Sequence, residues 1–228
     1  MIYGLIFAAG KQTRFACDTP KALITIGNRV LLDINMERLS KHCDEIFVVC
    51  SYENAPHFKN YPNIKISSGN GCGDAVMQAL DRLPLSEDDL CYIMWGDTLF
   101  TEELLRVSKD SYSDRVVIPC EIVDTPYVQI IPINDGVKVK FSKFGESTFN
   151  GYHDLSVFFG NAMEINSHLH KMHDQIYINN TYVHTHGNEF SFLDVFNDTN
   201  IRAKVVLTPY KSYAFNTLEE STILEKLI

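Results

Sequence analysis

Five short apolar runs in the first 122 residues limit what this chain can fold into more than any other feature. They are "YGLIFAAG", "EIFVVCS", "NIKISSG", "LCYIMWGD" and "RVVIPCEI". The longer ones are apolar at consecutive positions, without polar alternation. A strand apolar on both sides must be covered on both sides, which is the situation of a mainly parallel sheet between two layers of helices. Helical patterns stand between the runs. "VLLDINMERLSKH" spaces Leu31, Ile34 and Leu39 along one helix face, "GDAVMQALDRL" reads as a second helix, and "TEELLRVSKD" as a third, opened by Thr101. The alternation predicts an α/β fold with a mainly parallel, mixed sheet flanked by helices.

The pattern changes after about residue 121. "YVQIIPINDGVKVKFSKF" reads as a hairpin turning at Asn134-Asp135-Gly136, and "HDLSVFFGNA" as one further strand. Near the end, Thr217 and Glu220 form a capping box before a helix carrying Leu218, Ile223, Leu224 and Leu227. With 228 residues and neither linker nor repeat, the expectation is one domain, 1–228, whose half 121–228 adds antiparallel elements to the half 1–120.

The balance of 20 basic against 29 acidic residues gives a formal charge of −9, which disfavours sequence-independent binding to nucleic acid. Any site for phosphate must then be local, and the loop "KQTRFACDTPKAL" directly after the first strand is conspicuously basic. The six cysteines are scattered without CxxC spacing, as in a reduced, cytoplasmic protein. No run approaches the roughly 20 apolar residues of a membrane span. The apolar start lacks a preceding basic segment, so it reads as a strand and not as a signal peptide.

Three phosphate-binding templates compete for that loop. A P-loop needs G-x4-G-K-[ST], but Gly4 and Gly10 are separated by five residues and Gln12 follows Lys11. A dinucleotide fingerprint needs G-x-G-x-x-G, of which only Gly10 is present. The third is an apolar strand, A-A-G-x-G-[ST]-R, then Pro-Lys. Ala8-Ala9-Gly10, Thr13-Arg14 and Pro20-Lys21 match it in order and spacing. On these residues the chain resembles the superfamily of sugar-phosphate nucleotidyltransferases and cytidylyltransferases. The side chains suit the binding of a nucleotide. Small residues allow close backbone approach, Arg14 can fork two phosphate oxygens, and Lys11 and Lys21 supply point charges. Gln12 stands where the family usually has a second glycine, so the loop must hold a side chain there, one able to touch phosphate.

The resemblance implies a Rossmann-like fold of the nucleotide-diphospho-sugar transferase type, and it extends downstream. Asp97 in "MWGDTLF" matches the family's Mg²⁺-binding acid, and Asn216 in "YAFNTLEES" matches the residue that completes the metal site. Ser68, Gly69, Gly71 and Gly73 match the glycine-bearing segment beside the base, with Asp74 opening the next helix. The implied reaction is attack of an acceptor phosphate on the α-phosphorus of a nucleoside triphosphate, with release of pyrophosphate. The acceptor segment lacks the usual sugar-binding glutamate and carries Lys140, Lys143, Tyr152, His153 and Asp154 instead. Of these, Lys143, Tyr152 and Asp154 are the acceptor-binding candidates, and they suit a phosphorylated amino compound. In this respect the chain is similar to capsule-pathway cytidylyltransferases, including those acting on phosphoglutamine. Expected partners are CTP, Mg²⁺ and a small phosphorylated acceptor, with no nucleic acid and no membrane, and a homodimer is compatible with the resemblance. A sugar-1-phosphate nucleotidyltransferase and a non-catalytic nucleotide-binding module remain the alternatives. The pairs His168/His170 and His184/His186 have metal-like spacing, but His168 lies in a helical pattern, where residues i and i+2 diverge. They read as surface or structural histidines.

Overall fold

The computed structural model describes residues 1–10, 19–67, 70–141, 151–179, 181–183, 189–198, 200–215, 220 and 224. Strand β1 (Ile2–Phe7) is followed by two-residue strands β2 (Thr25–Ile26) and β3 (Arg29–Val30) and helix α1 (Leu31–Leu39). Then come β4 (Glu45–Ser51), β5 (Asn63–Ile66), α2 (Cys72–Leu80), β6 (Leu90–Trp95), β7 (Thr98–Phe100) and α3 (Glu102–Asp110). The second half contributes β8 (Val116–Val123), the hairpin β9 (Val128–Ile133) and β10 (Gly136–Phe141), then β11 (Gly151–Asp154) and β12 (Val157–Asn161). It continues with α4 (Ala162–Ile176), the small hairpin β13 (Tyr177–Ile178) and β14 (Thr181–Tyr182), α5 (Val195–Asp198), β15 (Ala203–Leu207) and β16 (Ser212–Ala214).

One sheet runs through both halves in the order β10-β9-β11-β8-β12-β6-β1-β4-β5, with β15 joined to β8. The run β5-β4-β1-β6 is parallel, and β15 is parallel to β8. The insertions β9 to β12 are antiparallel to their neighbours. Alternate residues of β1 explain the two helix layers. Tyr3, Leu5 and Phe7 join Val76 and Leu80 of α2 and Ile165 and Leu169 of α4. Ile6, with Ala8 just beyond the strand, joins Leu32 and Leu39 of α1 and Leu104 and Leu105 of α3. Each continuous apolar run is thus buried on both faces, and this buried area drives the assembly.

One expectation needs correction. The single strand over 153–162 is two, β11 and β12, because Ser156 takes a positive φ of 61° between them and Asp154 accepts the Ser156 N–H at 3.0 Å. The break lets β11 pair with β8 and β9 while β12 crosses to β6. Lys140 lies on the exposed side of β10, whose Val137 and Val139 face the core. The closing helix is seen at Glu220 and at buried Leu224, while its capping residue Thr217 lies outside the described residues.

Candidate functional site

The parallel strands β4, β1 and β6 end side by side, where open α/β sheets gather ligand-binding groups. From β1 the chain enters Ala8-Ala9-Gly10, with Ala8 buried and its N–H on the Val49 carbonyl at 2.7 Å, and with Gly10 exposed. From β6 it enters Gly96-Asp97. Gly96 is a glycine for steric reasons: a Cβ there would sit 2.8 Å from the Phe7 carbonyl, which already accepts the Gly96 N–H at 2.8 Å. The two loop mouths are therefore tied together by backbone.

Asp97 occupies that mouth with its side chain 40% exposed. The Lys21 ammonium, 11% exposed, stands 3.4 Å from its carboxylate and donates to the Phe215 carbonyl at 3.1 Å. Phe215 in turn reaches back, its N–H directed at the Asp97 carbonyl at 3.4 Å, as the continuation of β16 paired with β7. Lys21 and Asp97, far apart in sequence, thus meet at this mouth. Asn216 follows Phe215 directly in the chain but lies outside the described residues, as do Lys11, Gln12, Thr13 and Arg14.

A residue missed by sequence reasoning holds this corner. Buried Asn35 of α1 donates to the Thr98 carbonyl at 2.8 Å and accepts the Phe100 N–H at 3.2 Å. It fixes β7 immediately after Asp97. An amide interrupting the apolar face of α1 was the available signal, because a buried amide must find partners. Thr101 caps α3 as expected, accepting from the Leu104 N–H at 3.3 Å. That frees Asp97 from capping duty.

At the mouth of β5, Ser68 and Gly69 lie outside the described residues. Gly71 and Gly73 pack against the chain's own Phe190. Buried Asp74 accepts from Gln78 at 2.9 Å near the start of α2. Burial, and then the Asp74 charge, push the Tyr182 hydroxyl pKa up.

On the other side of β6, β12 pairs with it so that Val157 faces Met94, and the Trp95 N–H points at the Ser156 carbonyl at 3.4 Å. This register places Asp154 at the same end of the sheet as Asp97. Asp154 is 7% exposed, and burial raises its carboxyl pKa, with His153 and the Ser156 N–H opposing. Tyr152, two residues earlier on β11, is half-buried against the core. Lys143 lies outside the described residues.

Among the described residues no group of three His, Cys, Asp or Glu could hold a metal by itself. Mg²⁺ commonly uses one or two carboxylates plus substrate phosphates, and the half-open carboxylate of Asp97 is a donor of that kind. His170 pairs with Asp81 at 2.8 Å on the surface of α4, while His184 and His186 lie outside the described residues. Cys43, Cys50, Cys72, Cys91 and Cys120 are free thiols, and burial pushes Cys91 up to about 12. No helix among the described residues is long and apolar enough to cross a membrane.

Residues 4–127 match the model of the MobA-like NTP transferase domain. The chain belongs to the MobA-like NTP transferase family. Its curated relatives include the bifunctional protein GlmU of Methanococcus aeolicus, 29% identical over 131 residues, which are 54% of this chain and 30% of that protein. The chain therefore spans less than a third of the length of the curated relatives it matches. Among solved structures, HddC from Yersinia pseudotuberculosis superimposes with a TM-score of 0.70 at 19% identity, covering 100% of this chain and 99% of that one. The CTP:phosphocholine cytidylyltransferase LicC from Streptococcus pneumoniae gives 0.68 at 14% identity, covering 99% and 98%. These likenesses establish the nucleotide-diphospho-sugar transferase-like fold along the whole chain. In this MobA-like NTP transferase the family match ends just before β9. Everything from β9 to β16 thus lies outside that match.

Proposed function

We propose that this chain transfers CMP from CTP to the phosphate of a small phosphorylated amino compound, represented by phosphoglutamine, and releases pyrophosphate. The observation that carries the reading is the Asp97 carboxylate, half open at the joined mouths of β1 and β6 with the Lys21 ammonium beside it.

A triphosphate laid over Ala8-Ala9-Gly10 would meet the charges of Lys11, Arg14 and Lys21, with Thr13 and Gln12 as hydrogen-bonding neighbours. Mg²⁺ held by Asp97 and Asn216 would supply further charge neutralisation at the phosphates. The acceptor phosphate is largely dianionic at neutral pH, its second pKa being about 6. It needs no protein base. Its oxygen forms the new bond to the α-phosphorus as the bond from that phosphorus to the β-phosphate bridging oxygen breaks, and pyrophosphate carries away the electron pair. The protein contributes alignment and charge, with Lys21 placed to steady the reacting end of the nucleotide.

The acceptor would lie between Asp97 and the β11–β12 break. Asp154 would take its ammonium, Tyr152 would flank it, and Lys143 would meet its phosphate or carboxylate. A buried carboxylate that resists ionisation gains most from a cation brought beside it, which favours amino compounds over neutral sugars. A preference for CTP would come from backbone carbonyls of the segment 68–73 with lone pairs left to meet the cytosine N4 amine. The specificity of LicC for CTP and phosphocholine supports this choice.

Pyrophosphate release tests the reading, with CTP, UTP, GTP and ATP each offered phosphoglutamine, phosphocholine and glucose 1-phosphate. The expected result is the fastest release with CTP and an amino acceptor. Preference for UTP with glucose 1-phosphate would replace it with a sugar nucleotidyltransferase. Nucleotide binding without release from any pair would leave only a binding module.

A further inference from the structure

We infer that the segment Phe190–Phe192, contributed by the half of the chain outside the family match, is a positioning element for the nucleotide. It rests on the nucleotide-binding reading above and adds a device to it. The segment lies across the entrance to α2 as a two-bond backbone bridge: the Gly73 N–H donates to the Phe190 carbonyl at 2.8 Å, and the Phe190 N–H donates to the Asn70 carbonyl at 2.9 Å.

Only glycine suits the facing position. Gly71 has φ of 103°, and a Cβ on it would stand 2.4 Å from the Phe190 carbonyl oxygen. A Cβ on Gly73 would stand 2.9 Å from the Phe190 ring. The glycines of this loop therefore serve close packing of protein on protein, and the loop's path is set by residue 190. The segment is itself held. Ser191 caps the next turn by accepting the Leu193 N–H at 3.3 Å, Asp194 accepts the Ser191 N–H at 3.2 Å, and the Phe192 N–H points at the Cys72 sulfur at 3.1 Å.

The same segment reaches the other two loop mouths. The Phe192 ring meets Trp95 edge-on at 6.1 Å, and Trp95 meets Phe7 edge-on at 5.6 Å. Phe7 leads into Ala8-Ala9-Gly10, and Trp95 into Gly96-Asp97. One aromatic row thus spans the ends of β1 and β6 and the start of α2, and its outer member comes from the second half of the chain. Displacing it by a fraction of an ångström moves the α2 entrance relative to Asp97, and misplacement on that scale can cost large factors in binding and rate.

Trp95 is the sole tryptophan, so its fluorescence reports nucleotide binding independently of turnover. The experiment titrates CTP into the wild-type chain and into Gly71→Ala, Ser191→Ala and, as a destabilised control within the same apolar cluster, Leu169→Ala. Steady-state constants follow with CTP and phosphoglutamine. Gly71→Ala should weaken CTP binding at least tenfold and Ser191→Ala about threefold. Both should raise the KM for CTP and leave the KM for the acceptor within twofold, while folded Leu169→Ala binds as wild type. Ser191→Ala removes only a cap and keeps the test alive should Gly71→Ala fail to fold. Wild-type affinity in the folded variants, or equal loss in Leu169→Ala, would overturn the positioning role alone. A wild-type chain that binds no nucleoside triphosphate would overturn the functional reading beneath it.

Discussion

Asp97 and Asp154 stand at the same end of one sheet, yet their surroundings prepare them for different work. Asp97 is half open and has an ammonium at 3.4 Å, while Asp154 is buried and its pKa is raised. Asp97→Ala should keep the fold and lower turnover by about a hundredfold or more, as loss of a charge-stabilising group does. Unchanged turnover by a folded variant would remove Asp97 from the site. Arg14→Ala and Lys21→Ala each delete charge-assisted bonds of about 1.5–3 kcal/mol, and CTP affinity by calorimetry should fall about tenfold or more. For Asp154 the sign is set by its raised pKa. The folded protein holds this proton more tightly than the unfolded chain, so stability falls as pH rises from the ordinary value of 3.8 through the folded one. Asp154→Asn should therefore raise the Tm at pH 7–8 and not at pH 3, by about 2–4 °C for each kcal/mol recovered. It should also raise the acceptor KM. Parallel stability curves for the two proteins would contradict the buried carboxylate.

At the scale of elements, the site depends on how β7 is held, by β16 through strand pairing and by Asn35 of α1. Asn35 of α1 satisfies the Thr98 carbonyl and the Phe100 N–H, and Asn35→Leu would orphan both. Each orphaned buried group costs about 1–3 kcal/mol. The Tm should thus fall by at least about 4 °C, and turnover should fall with it because Asp97 precedes β7. A melting curve and an activity assay on the same sample check both. The elements themselves were legible wherever the apolar pattern was long: β1, β4, β6, β8 and α1 to α3 follow it closely. The break at Ser156 was not, because a positive φ at serine leaves no mark in a hydrophobic pattern. Asn35 was readable as an anomaly, but its partners were not. The small side chains at 71 and 73 were legible, but their close approach to Phe190 was not. Sequence shows that a position must be small, and only the fold shows what comes close.

Across the whole molecule, a parallel half that follows the family model joins antiparallel strands that the model leaves unspecified. The first half carries the basic loop after β1, Lys21 and Asp97. The second brings Phe215, Asp154 and Phe190 to the same end of the sheet. This division predicts separable specificities, with changes in the first half altering nucleotide constants and changes along β11 and β12 altering acceptor constants. The bridge at Phe190 is the argued exception. Group transfer onto a phosphate is decided by the fate of the α-phosphorus of CTP. Phosphorus NMR of a reaction with CTP, Mg²⁺ and phosphoglutamine should show one new CMP–acceptor linkage for every pyrophosphate released. Free CMP accumulating in step with pyrophosphate, or CTP left intact beside every phosphorylated acceptor offered, would contradict it.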